Sequence, residues 1–287
     1  MRHAPIKMIA CDMDGTLLDN SSRLPERNKI VIAEAVRRGI IFVISTGRMY
    51  HSARFFAEQL GVTQFPLICY NGSMIVEPDD RELFHLKLDM DVALGLLAFF
   101  RDRNMYVQSY IDDRLYIKED NAEQYQYYNK YFGITGTAVG DGLYAPERRP
   151  TKLLSKTEGI DDSHKLIKEL SDMFPGRVYV TSSNEDFIEM MNPEANKAKC
   201  LRILSESCGV PVENIMALGD GDNDAEMIGT AGLGIAVANA RESVKKAARF
   251  IAPSNDECGV AWAIEEYVLK QRLPVVWGYT REQGNLQ

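Results

Sequence analysis

No stretch of this 287-residue chain is apolar over anything near the ~18–20 residues that a membrane-spanning helix needs. A membrane is therefore not expected as a partner. Cysteine is sparse and unpatterned. Its five residues, Cys11, Cys69, Cys200, Cys208 and Cys258, are far apart and include no Cys-x-x-Cys pair. That excludes a disulfide framework and argues against a thiolate zinc site. The thiols read as reduced and mostly buried, in a reducing compartment. Positive charge is also in deficit: 33 Lys and Arg face 41 Asp and Glu, for a net charge of −8. A nucleic-acid scaffold would carry a basic face, so no nucleic acid is expected, and an anionic ligand would need a local cation to receive it. Repeats and low-complexity tracts are absent. With 45% apolar and 26% charged residues the composition is that of a globular protein. The apolar stretch after Pro5 is too short for a signal peptide and runs into Asp12 and Asp14, so a cytoplasmic location is expected.

What is present is an alternation of short apolar runs and helical patterns. Ile6 to Cys11 suits a strand buried on both faces. Pro25 opens a helical stretch and Gly39 stands where a C-terminal cap belongs. Ile40 to Ile44 is a second strand, Met49 to Leu60 a second helix and Leu67 to Tyr70 a third strand. Asn71-Gly72 then signals a hairpin. This β-α-β-α-β opening implies a parallel α/β sheet with an antiparallel hairpin at its edge. Between residues 84 and 189 the character changes: helical patterns over 90–103, 119–132 and 162–173 alternate with short strands at Tyr106–Tyr110 and Arg177–Thr181, and 133–160 reads as irregular. From residue 190 the α/β rhythm returns, with helices over 197–207, 224–229, 241–248 and 257–271 and strands at Ile215–Leu218, Gly234–Val237 and Phe250–Ile251. The simplest architecture is one α/β core, residues 1–83 and 190–287, split by an α+β insert over 84–189.

The groups that can do chemistry fall at strand ends and helix starts. Asp12-Met13-Asp14-Gly15-Thr16 follows the first strand directly. Residues two apart on extended backbone point the same way, so Asp12 and Asp14 should lie together where an open α/β sheet places its ligand. Two adjacent carboxylates repel and call for a cation or a shifted pKa. Gly219-Asp220-Gly221-Asp222-Asn223-Asp224 follows another strand and offers three carboxylates within five residues, a hard-cation site that suits magnesium. An EF-hand calcium loop fails on spacing, because with Asp220 as position one Ala225 stands where Gly is required and Ala231 where Glu is required. Asp224 also suits a helix N-cap. Ser45-Thr46-Gly47 precedes a helix, where a hydroxyl and free N–H groups can hold an anion or simply cap the helix. If Asn196 caps the next helix, Lys197 lies in its first turn, where a cation opposes the macrodipole. A local rule broken without local gain points to function. Lys199 is a rival for that role.

Taken in order, these segments resemble the haloacid dehalogenase (HAD) superfamily of phosphohydrolases, and specifically its Cof-type phosphatases. Asp12-Met13-Asp14-Gly15-Thr16 is similar to the first motif, Thr46-Gly47-Arg48 to the second, Lys197 to the third and Gly219-Asp220 through Asn223-Asp224 to the fourth. Tyr70-Asn71-Gly72 and Ser254-Asn255-Asp256-Glu257 resemble family segments as well. The third motif departs from the usual Ser-Lys-Gly, reading Asn196-Lys197-Ala198, and Ala238 replaces a usual Gly. The resemblance covers about 180 residues of core and implies a Rossmann-like parallel-sheet core with an inserted α+β cap domain.

It further implies a magnesium-dependent phosphomonoester hydrolase for a small phosphorylated metabolite, a sugar phosphate, working through an aspartyl-phosphate. Nucleotide or cofactor phosphates such as FMN or pyridoxal phosphate are the alternative, and a phosphoacceptor or binding protein on the same fold is another. By resemblance Asp12 is the nucleophile and Asp14 the general acid/base, made protonatable by a negative neighbourhood. Mg2+ would be bound by Asp12, the Asp14 carbonyl and Asp220, with Asp224 holding metal-bound water, and Thr46, Gly47, Lys197 and Asn223 would hold phosphate. The insert would act as a lid. Tyr125, Tyr127, Tyr128 and Tyr131 are expected to pack a helix, with stacking on a ring as the alternative, and Arg148, Arg149 and Lys152 to lie in a solvated loop, with contact to a second anionic group as the alternative. Both a monomer and a homodimer are compatible with the sequence.

Overall fold

A computed structural model describes residues 4–119, 134–157, 160–182 and 187–270, with Glu123, Tyr125, Gln126 and Asn129 between the first two segments. The expected helix over 119–132 lies largely outside the described residues, as do Tyr127, Tyr128, Tyr131 and the tail after Pro274.

The core is a five-stranded parallel sheet. Its strands are β1 (Met8–Cys11), β2 (Ile41–Ile44), β12 (Ile215–Gly219), β13 (Leu233–Val237) and β14 (Phe250–Ala252), in the order β14-β13-β12-β1-β2. The chain steps from β1 to β2 on one side and later fills the other side from β12 to β14. The order therefore reverses between β1 and β12, the switch point at which ligands bind in open α/β sheets. Register sharpens this: Cys11 pairs with Leu218 on one side and with Ile44 on the other. The segments beginning at Asp12, Ser45 and Gly219 thus leave the sheet at one level and one edge.

Every residue of β1 is fully buried because both sheet faces are covered. Ile9 and Cys11 pack with α1 (Glu26–Arg37), α2 (Tyr50–Leu60) and α8 (Gly259–Ile264), whereas Met8 and Ala10 pack with α5 (Lys197–Ser207), α6 (Ala225–Thr230) and α7 (Glu242–Ala247). The alternation of a strand sends its side chains into two separate clusters. In α1, Val31, Ile32 and Ala35 share the buried face, and Asn28 on that face is satisfied by the Leu17 carbonyl and the Ala261 N–H. Gly39 follows with φ +85°, as the expected C-terminal cap requires. The expected last helix is shorter, with α8 running on as a wider turn over Glu265–Leu269.

A three-stranded antiparallel sheet, β3 (Leu67–Cys69), β4 (Met74–Val76) and β5 (Glu82–His85), joins the core beside β2 through a parallel Ser45–Ile68 bridge and the Tyr70 and Asn71 N–H groups, which donate to the Arg48 and Thr46 carbonyls. A second large sheet has the order β10-β11-β9-β6-β7-β8, from β6 (Gln108–Ile111), β7 (Arg114–Ile117), β8 (Thr137–Ala138), β9 (Lys152–Lys156), β10 (Tyr179–Ser182) and β11 (Phe187–Met191). Helices α3 (Met90–Asp102) and α4 (Ile160–Met173) cover one of its faces, packing on Leu153, Ile188 and Met190.

One expectation is corrected here. The segment 133–160 is not irregular, since it supplies β9, an interior strand bonded to both β6 and β11. Its pattern, Lys-Leu-Leu-Ser-Lys, hides the strand because its first charged residue is buried. The boundaries expected at 83/84 and 189/190 fall inside β5 and β11, so the break in sheet membership comes after His85 and after Met191. All five cysteines are free, and Cys11, Cys69 and Cys200 are buried, as expected.

Candidate active site

The first loop turns sharply after Asp12. Gly15 has φ +78°, and a Cβ there would stand 2.5 Å from Asp220 Oδ2. Only glycine allows both the turn and the approach. Thr16, one residue on, donates to Asp220 Oδ1 at 2.6 Å. The carboxylates of Asp12, Asp220 and Asp224 each place an oxygen within 4.8 Å of the others.

Lys197 enters this cluster from α5. Asn196 caps that helix as expected, its side chain accepting from the N–H groups of Ala198 and Lys199. The Lys197 ammonium, with none of its side chain exposed, lies 2.6 Å from Asp12 Oδ1 and 2.7 Å from Asp224 Oδ1. Lys199 points elsewhere and pairs with Glu194 on the surface. The structure therefore brings Lys197, not its rival, to the carboxylates.

Asp224 uses both of its oxygens. Oδ1 meets Lys197, and Oδ2 accepts from the backbone N–H groups of Asp220 and Gly221 at 3.1 and 3.0 Å. It stands at the N-cap position of α6 but makes no side-chain bond forward into that helix. Its role as a helix cap is replaced by one that holds its own loop.

Three clustered carboxylates, two of them buried and Asp220 partly so, have one ammonium among them, and it touches only Asp12 and Asp224. Burial and the charge of Asp224 raise the pKa of Asp12 well above the ordinary carboxylate range, with Lys197 opposing. Burial and Asp224 likewise push Asp220 up to about 6, against the hydrogen bond from Thr16. Burial works against the Lys197 ammonium, but Asp12 and Asp224 outweigh it and raise its pKa. The oxygen donor set and the uncompensated negative charge suit a hard divalent cation.

Thr46 and Gly47 leave β2 at the same edge. Thr46 is buried, and its Oγ1 accepts from the Arg48 N–H at 3.1 Å. Asn223 donates to Asn71 Oδ1 at 2.8 Å. Asn71 belongs to a turn in which Tyr70, Asn71 and Gly72 all have positive φ. At Gly72 a Cβ would stand 2.3 Å from the Asn196 backbone, which shows how tightly this turn packs against the start of α5.

Asp14 differs from its expected setting. Its ion-pair partner is the Arg48 guanidinium, which meets both carboxylate oxygens, one of them at 2.8 Å. The surroundings of Asp14 are thus not only negative. Arg48, Thr16 and Asn71 were present in the motifs but carried no assigned role. The contacts of Arg48 with Asp14, Thr16 with Asp220 and Asn71 with Glu189 span 34 or more residues, and no local pattern signals them.

Of the predicted loop cations one is corrected: Lys152 is buried in β9 and pairs with Glu189. Arg148 and Arg149 are exposed in the loop, as expected, where Arg148 pairs with Asp112 and Arg149 bonds to Asp89 and to the carbonyls of Lys87 and Leu88. Tyr125 is buried and its hydroxyl accepts from the Gly136 N–H at 2.9 Å, in keeping with packing.

The family model of the haloacid dehalogenase-like hydrolases matches residues 9–264. The chain belongs to that family. A relative in Bacillus subtilis strain 168, the 5-amino-6-(5-phospho-D-ribitylamino)uracil phosphatase YcsE, is 32% identical over 269 residues, covering 92% of this chain and 96% of that protein. A haloacid dehalogenase-like hydrolase of Bacteroides thetaiotaomicron superposes with a TM-score of 0.83 at 28% identity, over 91% of this chain and 99% of the other. The chloroplastic endoribonuclease YBEY of Arabidopsis thaliana is 28% identical over 270 residues, 90% of this chain. The chain spans only 46% of that longer protein. The expected α/β fold and family are borne out, and so is the enzyme class: family and phosphatase relatives together support a phosphoric monoester hydrolase. Among the described residues no helix is long and apolar enough to cross a membrane.

Proposed function

We propose that this hydrolase is a magnesium-dependent phosphatase whose small substrate carries its phosphate at the end of a sugar or polyol chain. The observation that carries the reading is the cluster of Asp12, Asp220 and Asp224, its first and last members buried, with the buried Lys197 bridging those two. Asp12 and Asp220, with the Asp14 carbonyl, would hold Mg2+, and Asp224, already committed to Lys197 and two N–H groups, would stand behind it. When bound, the metal supplies charge that offsets the carboxylates and draws electron density from the phosphoryl oxygens.

Asp12 attacks phosphorus as the bond to the leaving oxygen breaks, giving an aspartyl-phosphate. Asp14 gives a proton to that leaving oxygen. It then takes one from the water that attacks phosphorus and frees Asp12. Lys197, Thr46 and the Gly47 N–H neutralise and orient the phosphoryl oxygens. Asn223 can join them: its amide carries two protons, of which Asn71 takes one. The second sheet and its helices serve as a cap over the leaving group and exclude water.

The sugar or polyol phosphate rests on family resemblance and on the phosphoribityl group named for the Bacillus relative. That name also keeps nucleotide-like and flavin phosphates within the panel to be tested. Phosphate release from sugar phosphates, ribityl phosphates, FMN, pyridoxal phosphate and nucleotides, with magnesium and with chelator, tests the proposal. Turnover that persists in chelator, or in Asp12→Asn, would refute it.

A further inference from the structure

The face of the second sheet opposite α3 and α4 carries a buried ion pair. Lys152 of β9 and Glu189 of β11 are each 3% exposed, with Nζ and Oε1 2.5 Å apart. A buried pair of this kind is weak evidence for stability, because desolvation offsets the attraction. Its other contacts reach out of its own sheet. Lys152 Nζ donates to the Gly47 carbonyl at 2.9 Å, and Glu189 Oε2 accepts from Asn71 Nδ2 at 2.8 Å. Lys152 also stands 4.8 Å from the centre of the Tyr110 ring.

Each contact continues to a residue that faces the phosphate in the reading above. The Gly47 carbonyl belongs to the peptide whose N–H is that of Arg48, and this N–H donates to Thr46 Oγ1. An ammonium on the carbonyl polarises the peptide and strengthens that donor. A threonine oxygen that accepts from Arg48 has its own proton to give to an anion. On the other side, Asn71 Oδ1 accepts from Asn223, so Glu189 fixes the Asn71 amide and, through it, the orientation of Asn223.

We propose that Lys152 and Glu189 are a positioning pair. Seated on the core, they set the donors of both phosphate-holding loops at once, Thr46 through Gly47 and Asn223 through Asn71. The inference rests on the phosphatase reading above. It makes the insert part of the apparatus that orients phosphate, beyond a cover over the leaving group.

The test uses the full chain with Lys152→Met, Glu189→Gln and a double variant, Lys152→Met with Glu189→Leu, beside wild type and Asp12→Asn. For each, kcat and KM for para-nitrophenyl phosphate, inhibition by inorganic phosphate and the melting temperature are measured. The double variant removes both charges of the pair and strands neither. The expected result is a double variant that melts like wild type. Its kcat is at least about tenfold lower, its KM is within about threefold of wild type, and its inhibition by phosphate is weaker. Glu189→Gln, which keeps the side chain's shape, moves kcat in the same direction by less. Folded variants with wild-type kcat overturn the positioning role and leave the pair as interior packing. An inactive wild type, or an active Asp12→Asn, overturns the hydrolase reading itself.

Discussion

Arg48 is buried and Asp14 is half-exposed, yet the guanidinium of the one meets both carboxylate oxygens of the other. The pair holds the proposed acid/base at the mouth of the site in a fixed orientation. A planar fork can do this and a point charge cannot. Arg48→Lys should therefore lower kcat/KM by about tenfold while the protein stays folded. Steady-state kinetics and a melting curve check it, and unchanged kinetics would remove Asp14 orientation from the mechanism.

Lys197 and Lys199 give a sharper contrast. Lys197→Met should reduce kcat by about 10²-fold or more, the cost of losing one preorganised charge at a transition state. Lys199→Met, which loses only a surface pair with Glu194, should leave kcat within about twofold. Equal losses in the two variants would place the wrong lysine in the site.

Asp12→Asn should lower turnover by at least about 10³-fold, because it removes the proposed nucleophile. In chelator its melting temperature should equal or exceed that of wild type. The substitution removes one of three clustered, mutually repelling carboxylates. A large loss of stability would show that the Asp12 charge holds the fold together.

The raised pKa of Asp220 fixes a direction of pH dependence. Its carboxyl is pushed up to about 6, chiefly by burial and Asp224, so the folded chain holds a proton that the unfolded chain has released. The stability this confers is fully present below the unfolded value of about 3.9 and is lost as pH rises through about 6. In chelator, the melting temperature of wild type relative to Asp220→Asn should fall across that window. Magnesium should cancel the fall by replacing the proton, and at about 100 times its Kd it should add about 2.7 kcal/mol. Calorimetry at several pH values decides it, and parallel curves for the two proteins would contradict the assigned coupling.

The chemistry at the strand ends was legible because it is local. Asp12 and Asp14 follow an apolar run, Asp220 and Asp224 follow another, and parallel strands deliver such loops to one edge whatever the rest of the chain does. The strand at Lys152–Lys156 was not legible. Hydrophobic alternation marks a strand only where charge means solvent, and Lys152 is charged and buried. Glu189 is a related case, since it reads as a surface residue but sits inside β11.

By itself, then, the sequence determined which reactive groups exist and that they gather at one sheet edge, since strand positions and turn chemistry follow from short-range periodicity and glycine placement, and parallel strands end on one side. Which lysine reaches Asp12, which cation pairs with Asp14 and which ion pair touches the loops at Gly47 and Asn71 were decided only by the tertiary structure. Lys197 and Lys199 are two residues apart and about 200° apart around a helix. Only the packing of α5 against a turn 125 residues earlier, at Gly72, turns the first inward. Ion pairs between residues 34 to 185 apart in the chain arise from that packing, and no local pattern encodes them.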